Sequence, residues 1–343
     1  MRVLSSPEAR LAIIAVAVFV VMSVLSPDKF LSAQNMTSMA FQFPEFAILA
    51  LAMTLTMLTG GIDLSVVGIA NLSAIVAATI LTTFAGTDVT GTDAMLWWGV
   101  AFAASLAVGT LAGLFNGIAI ALFGLPPILA TLGSGLIFTG FAVAITGGSA
   151  VMGFPVIVAF LGNGTVIGIP VPLILFAVLA LSLSLLLTRT AFGLKVQMFG
   201  ANPLAARFAA IDVTGLLIRV YVLSGIFAAI AGMVVMSRAN SAKADYGSSY
   251  LLLAVLIAVL GGVNPYGGYG RVIGVVLAVL SMQFLSSGLN MLGVSNFARE
   301  LIWGVLLIFV MIVNTQLTFR ARPPRAPAPP ADPTLNSEPE SLR

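Results

Sequence analysis

A chain of 343 residues that is 59% apolar and only 8% charged lies far from soluble enzymes, whose domains carry roughly 25% charged residues, and reads as a membrane protein. Having no cysteine and no histidine, it has no disulfide framework or thiolate metal site, and it lacks the commonest proton shuttle. Its net charge of +3 comes from 15 basic residues scattered among apolar stretches, which makes no basic face for nucleic acid and leaves the lipid bilayer as the first partner.

Apolar runs long enough to span follow one another at 9–26, 44–59, 64–84, 95–123, 127–146, 167–188, 214–238, 250–263, 271–292 and 298–318. Each is apolar on both faces, unlike the alternating pattern of transmembrane strands, so the fold class is all-α: a polytopic membrane protein with about ten transmembrane helices. The runs at 44–59 and 250–263 are short against a hydrocarbon core of about 30 Å and read as half-helices or re-entrant segments. The first run has a second reading as a cleaved signal peptide, with Arg2 and Arg10 ahead of it and Leu31-Ser32-Ala33 as a small-residue site.

Ten spans with the N-terminus inside place Arg2, Arg10, Arg189, Lys195, Arg207, Arg219, Arg271, Arg320, Arg322, Arg325 and Arg343 on the cytoplasmic side. Lys29, Arg238, Lys243 and Arg299 fall outside. The excess obeys the positive-inside rule and puts both termini in the cytoplasm. The transmembrane domain is expected over 1–318. Residues 319–343, dense in proline, form a disordered cytoplasmic tail.

A pump needs an energy source. The acidic residues Glu45, Asp63, Asp212 and Glu300 sit at the ends of the runs and leave their centres uncharged, which disfavours an ion-coupled secondary transporter, the alternative reading. No Gly-Lys pair occurs, so the chain has no phosphate-cradling loop of its own. No catalytic, metal or cofactor site is expected on it, and ATP with its magnesium would belong to a partner ATPase.

Only the internal loop at 189–213 is large enough to receive force from such a partner. Asn202 is a good N-cap, Pro203 suits the first helical position, and Leu204-Ala205-Ala206-Arg207-Phe208 is a helix former that stops near Asp212. Leu204 and Phe208, spaced i and i+4, would present an apolar ridge either to a groove on the partner or to the lipid interface.

Four stretches resemble one known family. Gly60-Gly61-Ile62-Asp63-Leu64-Ser65-Val66 is similar to its GGIDLSVG signature, although Val67 intervenes here before Gly68. Leu125-Pro126-Pro127-Ile128-Leu129-Ala130-Thr131-Leu132-Gly133 resembles its PPxIxTLG segment, Gly200-Ala201-Asn202-Pro203-Leu204-Ala205-Ala206 its coupling loop, and Gly261-Gly262 through Gly267-Gly268-Tyr269-Gly270 its late glycine-rich loop. The family is the permease subunits of bacterial ABC importers for ribose, xylose, rhamnose, autoinducer-2 and related sugars. The resemblance implies a permease dimer in a bacterial inner membrane, homomeric or with a sister chain, over two ATP-binding subunits, receiving sugar from a periplasmic binding protein. It favours Gly200, Asn202, Pro203, Leu204, Ala205, Ala206, Arg207, Phe208 and Ile211 as the ATPase-coupling segment.

Gly60, Gly61, Asp63 and Ser65, like Gly261, Gly262, Gly267 and Gly268, read as structural turns, with Asp63 placed to cap the third helix. Gly109, Gly113 and Gly117 mark one face of the fourth run for close helix packing. Asn71, Asn116, Thr131, Gln283 and Asn290 are polar groups inside spans, and they read either as a translocation path for a polyol or as interhelical hydrogen bonds. Charged residues of the outer loops, Asp28, Lys29, Asp88, Asp93, Lys243 and Asp245, are candidates for orienting the binding protein.

Overall fold

The computed structural model describes residues 7–320. Its helices run α1 Pro7–Leu25, α2 Pro27–Phe30, α3 Ala33–Met57, α4 Val66–Ile80, α5 Gly91–Ala121, α6 Pro127–Thr146, α7 Ala159–Asn163, α8 Val171–Arg189, α9 Ala191–Ala201, α10 Pro203–Phe208, α11 Val213–Ala239, α12 Tyr250–Leu260, α13 Val272–Met291 and α14 Asn296–Arg320. A π turn at Leu81–Ala85 closes α4. Two small antiparallel pairings, Val151–Met152 (β1) with Ser241–Ala242 (β4) and Thr165–Val166 (β2) with Ile169–Pro170 (β3), fasten the loops. Each apolar run of the sequence falls in one helix, and eight helices among the described residues are long and apolar enough to cross a membrane. The proline-rich tail from residue 321 onward, with Arg322, Arg325 and Arg343, lies outside the described residues, as does Arg2.

The run at 44–59 is not a half-helix. It is the C-terminal part of α3, whose 25 residues begin at Ala33, where the Ser32 hydroxyl accepts from the Asn35 amide and caps the first turn. Gln34, Asn35, Thr37, Ser38 and Gln42 lower the hydropathy of its first half, so an apolar reading starts too late. Pro44 sits inside this helix and removes one backbone donor from its ladder. The run at 250–263 does stay short: α12 has 11 residues, about 16 Å of rise against a hydrocarbon core of about 30 Å.

The mostly buried α3 and α11 form the centre of the bundle, with α1, α5, α6 and α8 largely exposed around them. α11 packs on α5, α3 and α4. Its seam with α5 is a glycine stripe. A Cβ on Gly109 or Gly113 would strike the backbone carbonyls of Gly225 or Tyr221, and one on Gly117 would come 2.8 Å from Ile218 Cα. Small residues let two helix backbones approach this closely, so dispersion replaces the hydrophobic driving force that lipid cannot supply. The outer helix α1 lies along α13, with Met22 over Gly288 and Glu8 joined to Arg271 at 2.7 Å.

Candidate functional site

At one end of the bundle three glycine turns meet. The Gly268 amide donates to the Leu58 carbonyl at 3.0 Å. Gly200, at the end of α9, lies against that same carbonyl and the Gly268 nitrogen, leaving no room for a Cβ. Gly267 has φ +91, and a Cβ there would stand 2.8 Å from both Gly200 O and Gly60 N. The Asn264 side-chain amide donates to the Gly267 carbonyl at 2.7 Å and closes the loop after α12. Gly261 packs on Val275 and Gly274 of α13, and Gly262 takes φ +82 to turn the chain out of α12. Turns distant in sequence therefore share one backbone junction.

The segment at 200–211 grows from this junction. Asn202 caps α10, its Oδ1 accepting from Leu204 N at 3.1 Å and Ala205 N at 3.0 Å, and Pro203 occupies the first turn. Leu204 is 63% and Phe208 85% exposed, whereas Ala206 is 1% exposed. The helix thus turns Ala206 inward and holds an apolar ridge outward, with Ala205 and Arg207 also exposed. The Ile211 amide returns to the Ala206 carbonyl at 3.2 Å. Asp212 then caps α11 through Gly215 N at 2.9 Å.

Deeper in the bundle lies a polar node. Asp63 is fully buried. Its Oδ1 accepts from the Ser65 amide at 3.0 Å and the Ser65 hydroxyl at 2.6 Å, and its Oδ2 accepts from the Ser224 hydroxyl at 2.8 Å. The carboxylate therefore serves the start of α4, but it also ties α4 to α11, with Ser224 about 16 Å along α11 from Val213. Asp63 is thus not at the membrane edge, and Glu45, halfway along α3, is buried as well. Hydropathy places acids at run ends because they terminate the apolar count.

The candidate path residues divide into two groups. Asn116 donates to the Ser65 hydroxyl at 2.7 Å. Thr131 Oγ1 accepts from Leu64 N at 3.0 Å and shares its one proton between the Pro127 carbonyl at 2.8 Å and the Ile62 carbonyl at 3.0 Å. Asn71 donates to the Ala244 and Tyr246 carbonyls at 2.9 Å each. These three are engaged in interhelical or helix–loop hydrogen bonds. Gln283 and Asn290, by contrast, line adjoining hollows at the far end of the bundle.

The first hollow, about 600 Å³, is bordered by Asn35, Ser38, Gln42, Ser287, Asn290 and Arg299 among others. The second, about 380 Å³, shares Gln42, Ser286 and Arg299 with it and reaches inward to Glu45, Arg238, Tyr250, Gln283 and Trp303. Glu45 is held by Arg238 Nε at 3.0 Å and by the Tyr250 hydroxyl at 2.8 Å. Glu45, Arg238, Tyr250, Arg299 and Trp303 escape a hydropathy reading. One signal marks them: Asn35, Ser38, Gln42 and Glu45 are spaced three, four and three apart, a polar stripe on one helical face. In the neighbouring loop the Lys243 ammonium donates to Asp245 at 2.9 Å, and that bond holds its pKa above the ordinary lysine value.

A bundle of membrane-length helices with a polar hollow at one end and a jointed helix at the other has the form of a permease. Residues 35–311 match the family described as branched-chain amino acid transport system / permease component, and the chain belongs to that family. It is a multi-pass membrane protein. It is 38% identical over 271 residues to the autoinducer 2 import system permease protein LsrD of Enterobacter sp. (strain 638), covering 77% of this chain and 80% of the relative. It is 34% identical over 297 residues to the ribose import permease protein RbsC of Bacillus subtilis (strain 168), covering 86% and 88%. Against RbsC of Escherichia coli (strain K12) the identity is 33% over 313 residues, covering 90% and 94%. No solved structure matches the chain.

Proposed function

We propose that this chain forms the sugar pathway of an ATP-driven importer, taking its cargo from a periplasmic binding protein and its force from a separate ATPase with its ATP and magnesium. It pairs with a second permease, identical or sister, in the bacterial inner membrane with both termini in the cytoplasm. The observation that carries this reading is the seating of α10. Its apolar ridge of Leu204 and Phe208 is exposed, while the end of α9 just before it, Gly200 and Ala201, abuts the Leu58–Gly60 and Gly267–Gly268 turns through backbone atoms. A push on such a helix reaches α3, α9 and α12 without passing through a flexible side chain. The basic residues Arg189, Lys195, Arg207 and Arg271 flank this end, and Lys29, Arg238, Lys243 and Arg299 belong to the other, which supports the orientation.

ATP-driven closure of the motor would move α10 and shift the bundle between inward and outward access, each state selected by its own contacts. The buried carboxylates Asp63, held by hydroxyls and an amide, and Glu45 favour ion coupling, and the similarity to import permeases outweighs them. Copurification of the chain with its ATPase, followed by uptake into vesicles with and without an ionophore, tests the choice. Uptake that needs ATP and ignores the ionophore supports the importer. Uptake that collapses with the ion gradient and persists without the ATPase refutes it.

A further inference from the structure

At the end of the bundle opposite α10, the connection at 147–170 between α6 and α8 contains no Asp, Glu, Lys or Arg. The other connections there carry Asp28 and Lys29, Asp88, or Lys243 and Asp245. Yet Met152, Val156, Phe160, Val166, Ile167 and Ile169 are all exposed within it. So many large apolar side chains on one charge-free segment mark a contact surface.

The segment is two-sided. Phe154, Val158 and Gly162, spaced four apart, are buried, whereas Val156 and Phe160, also four apart on the helical stretch that ends in α7, face outward. The inner side is bonded to the end of α11. The Gly162 amide donates to the Ser237 hydroxyl at 2.7 Å, and that hydroxyl donates in turn to the Val158 carbonyl. The Asn163 side-chain amide donates to the Ser237 and Arg238 carbonyls at 3.3 and 3.2 Å. A Cβ on Gly162 would stand 2.6 Å from Arg238 Cα, so the two backbones are in direct contact.

The hairpin that follows points away from this anchor. Val166 and Ile169 pair across its turn and so share one face. At the tip Ile167 has φ +51 and Gly168 φ +77, the pattern of a type I′ turn, which favours Asn and Gly. A β-branched residue is strained in that conformation. Ile167 is nonetheless 97% exposed, so no packing within the chain compensates the strain, and its side chain has its partner outside.

The absence of charge decides the class of partner. Protein-docking faces have polar rims, and anionic surfaces are held by Lys and Arg; this segment offers neither a charged rim nor a basic group. Its hairpin closes its own backbone hydrogen bonds, which a medium of low polarity demands. It also leads directly into α8, whose membrane-length apolar surface exposes Val178, Leu181 and Leu185.

We infer that Val156, Phe160, Val166, Ile167 and Ile169 form an interfacial foot that embeds in the headgroup–acyl boundary of the lipid bilayer. Through Gly162 and Asn163 the foot fixes the end of α11, the central helix, relative to the membrane surface. Zwitterionic lipid suffices, because no charge takes part.

The chain has no cysteine, so Val156→Cys, Phe160→Cys and Ile167→Cys each give a unique thiol for a nitroxide label. The full chain is placed in phosphatidylcholine nanodiscs, and depth is read from collisions with oxygen and with a soluble nickel chelate. All three positions are exposed, so the fold should survive, and the melting temperature checks this. Asp88→Cys, whose neighbour Thr87 approaches Gly153, is the aqueous reference. The oxygen-to-nickel ratio should be severalfold higher at 156, 160 and 167 than at 88, and unchanged when phosphatidylglycerol is added. Ile167→Asn, which suits the turn, should keep or raise the melting temperature in detergent while lowering the ratio read at Phe160→Cys. Nickel access at the three positions equal to that at 88 would overturn the foot. So would shielding from both reagents, which marks a protein partner, insertion that requires phosphatidylglycerol, or a ratio at 160 that Ile167→Asn leaves unchanged.

Discussion

Around Leu58, Gly200 and Gly268, backbone touches backbone and nothing larger than hydrogen fits, whereas around Glu45, about 20 Å away along α3, long side chains border a hollow. The first arrangement is rigid because it has no rotamers to exchange. The second is adaptable because its arginines and amides can trade partners with a solute or with water. On the proposed reading, force is delivered through the former.

The largest effect expected from breaking this contrast comes at Gly200. Gly200→Ala places a methyl group on the Leu58 carbonyl and the Gly268 nitrogen. Backbone cannot rotate away, so the junction must open, at an overpacking cost of about 1–3 kcal/mol. Uptake is expected to be lost almost completely while membrane insertion persists, read by transport assay and protease protection.

Next in size is the exposed ridge. Leu204→Asp with Phe208→Asp alters side chains that are 63% and 85% exposed, so the stability of the isolated permease should change by no more than about 0.5 kcal/mol, while ATPase copurification and uptake are abolished. Ala205→Asp, also at an exposed position, should weaken ATPase attachment in the same way. Ala206→Asp instead buries a charge within this chain and is expected to lower the melting temperature as well. A melting curve beside the pull-down separates the two alanines.

Smaller again is Ser224→Ala, which removes one hydroxyl from Asp63. Losing a hydrogen bond to a charged group costs about 1.5–3 kcal/mol, and denaturant unfolding of the purified chain should show it. The smallest effect belongs to Asn71→Ala. It frees the Ala244 and Tyr246 carbonyls at about 0.5–1.5 kcal/mol per bond, and hydrogen exchange should quicken across 240–249 while the α11 core stays protected.

Much of the fold was readable because lipid imposes a simple demand: a helix surrounded by hydrocarbon must be apolar throughout, so α1, α5, α6 and α8 announce themselves. The same demand hid the first half of α3, where Asn35, Ser38 and Gln42 face a polar hollow instead of lipid. The helix α10 was legible in detail, down to the Asn202 cap and the Leu204–Phe208 spacing, since capping and periodicity are local. The meeting of the Gly60, Gly200 and Gly267 turns was not legible, because residues more than 60 positions apart carry no local sign of their contact. Nor was the direction of Ala206, which depends on what α10 packs against. Asn71, Asn116 and Thr131 are engaged in hydrogen bonds that hold elements together, and a sequence alone does not separate such bonds from contacts to a passing solute.

The central claim is that this chain is a doorway whose motor lies on another subunit and grips it at α10. The direct test is reconstitution in sealed vesicles with sugar outside. The chain with its sister or second copy, but without the ATPase, should only equilibrate sugar or exclude it. Adding the ATPase, the binding protein and ATP should produce accumulation above the outside concentration, and Leu204→Asp with Phe208→Asp should cancel it. Uphill accumulation without the ATPase, or accumulation untouched by the double substitution, would contradict the account.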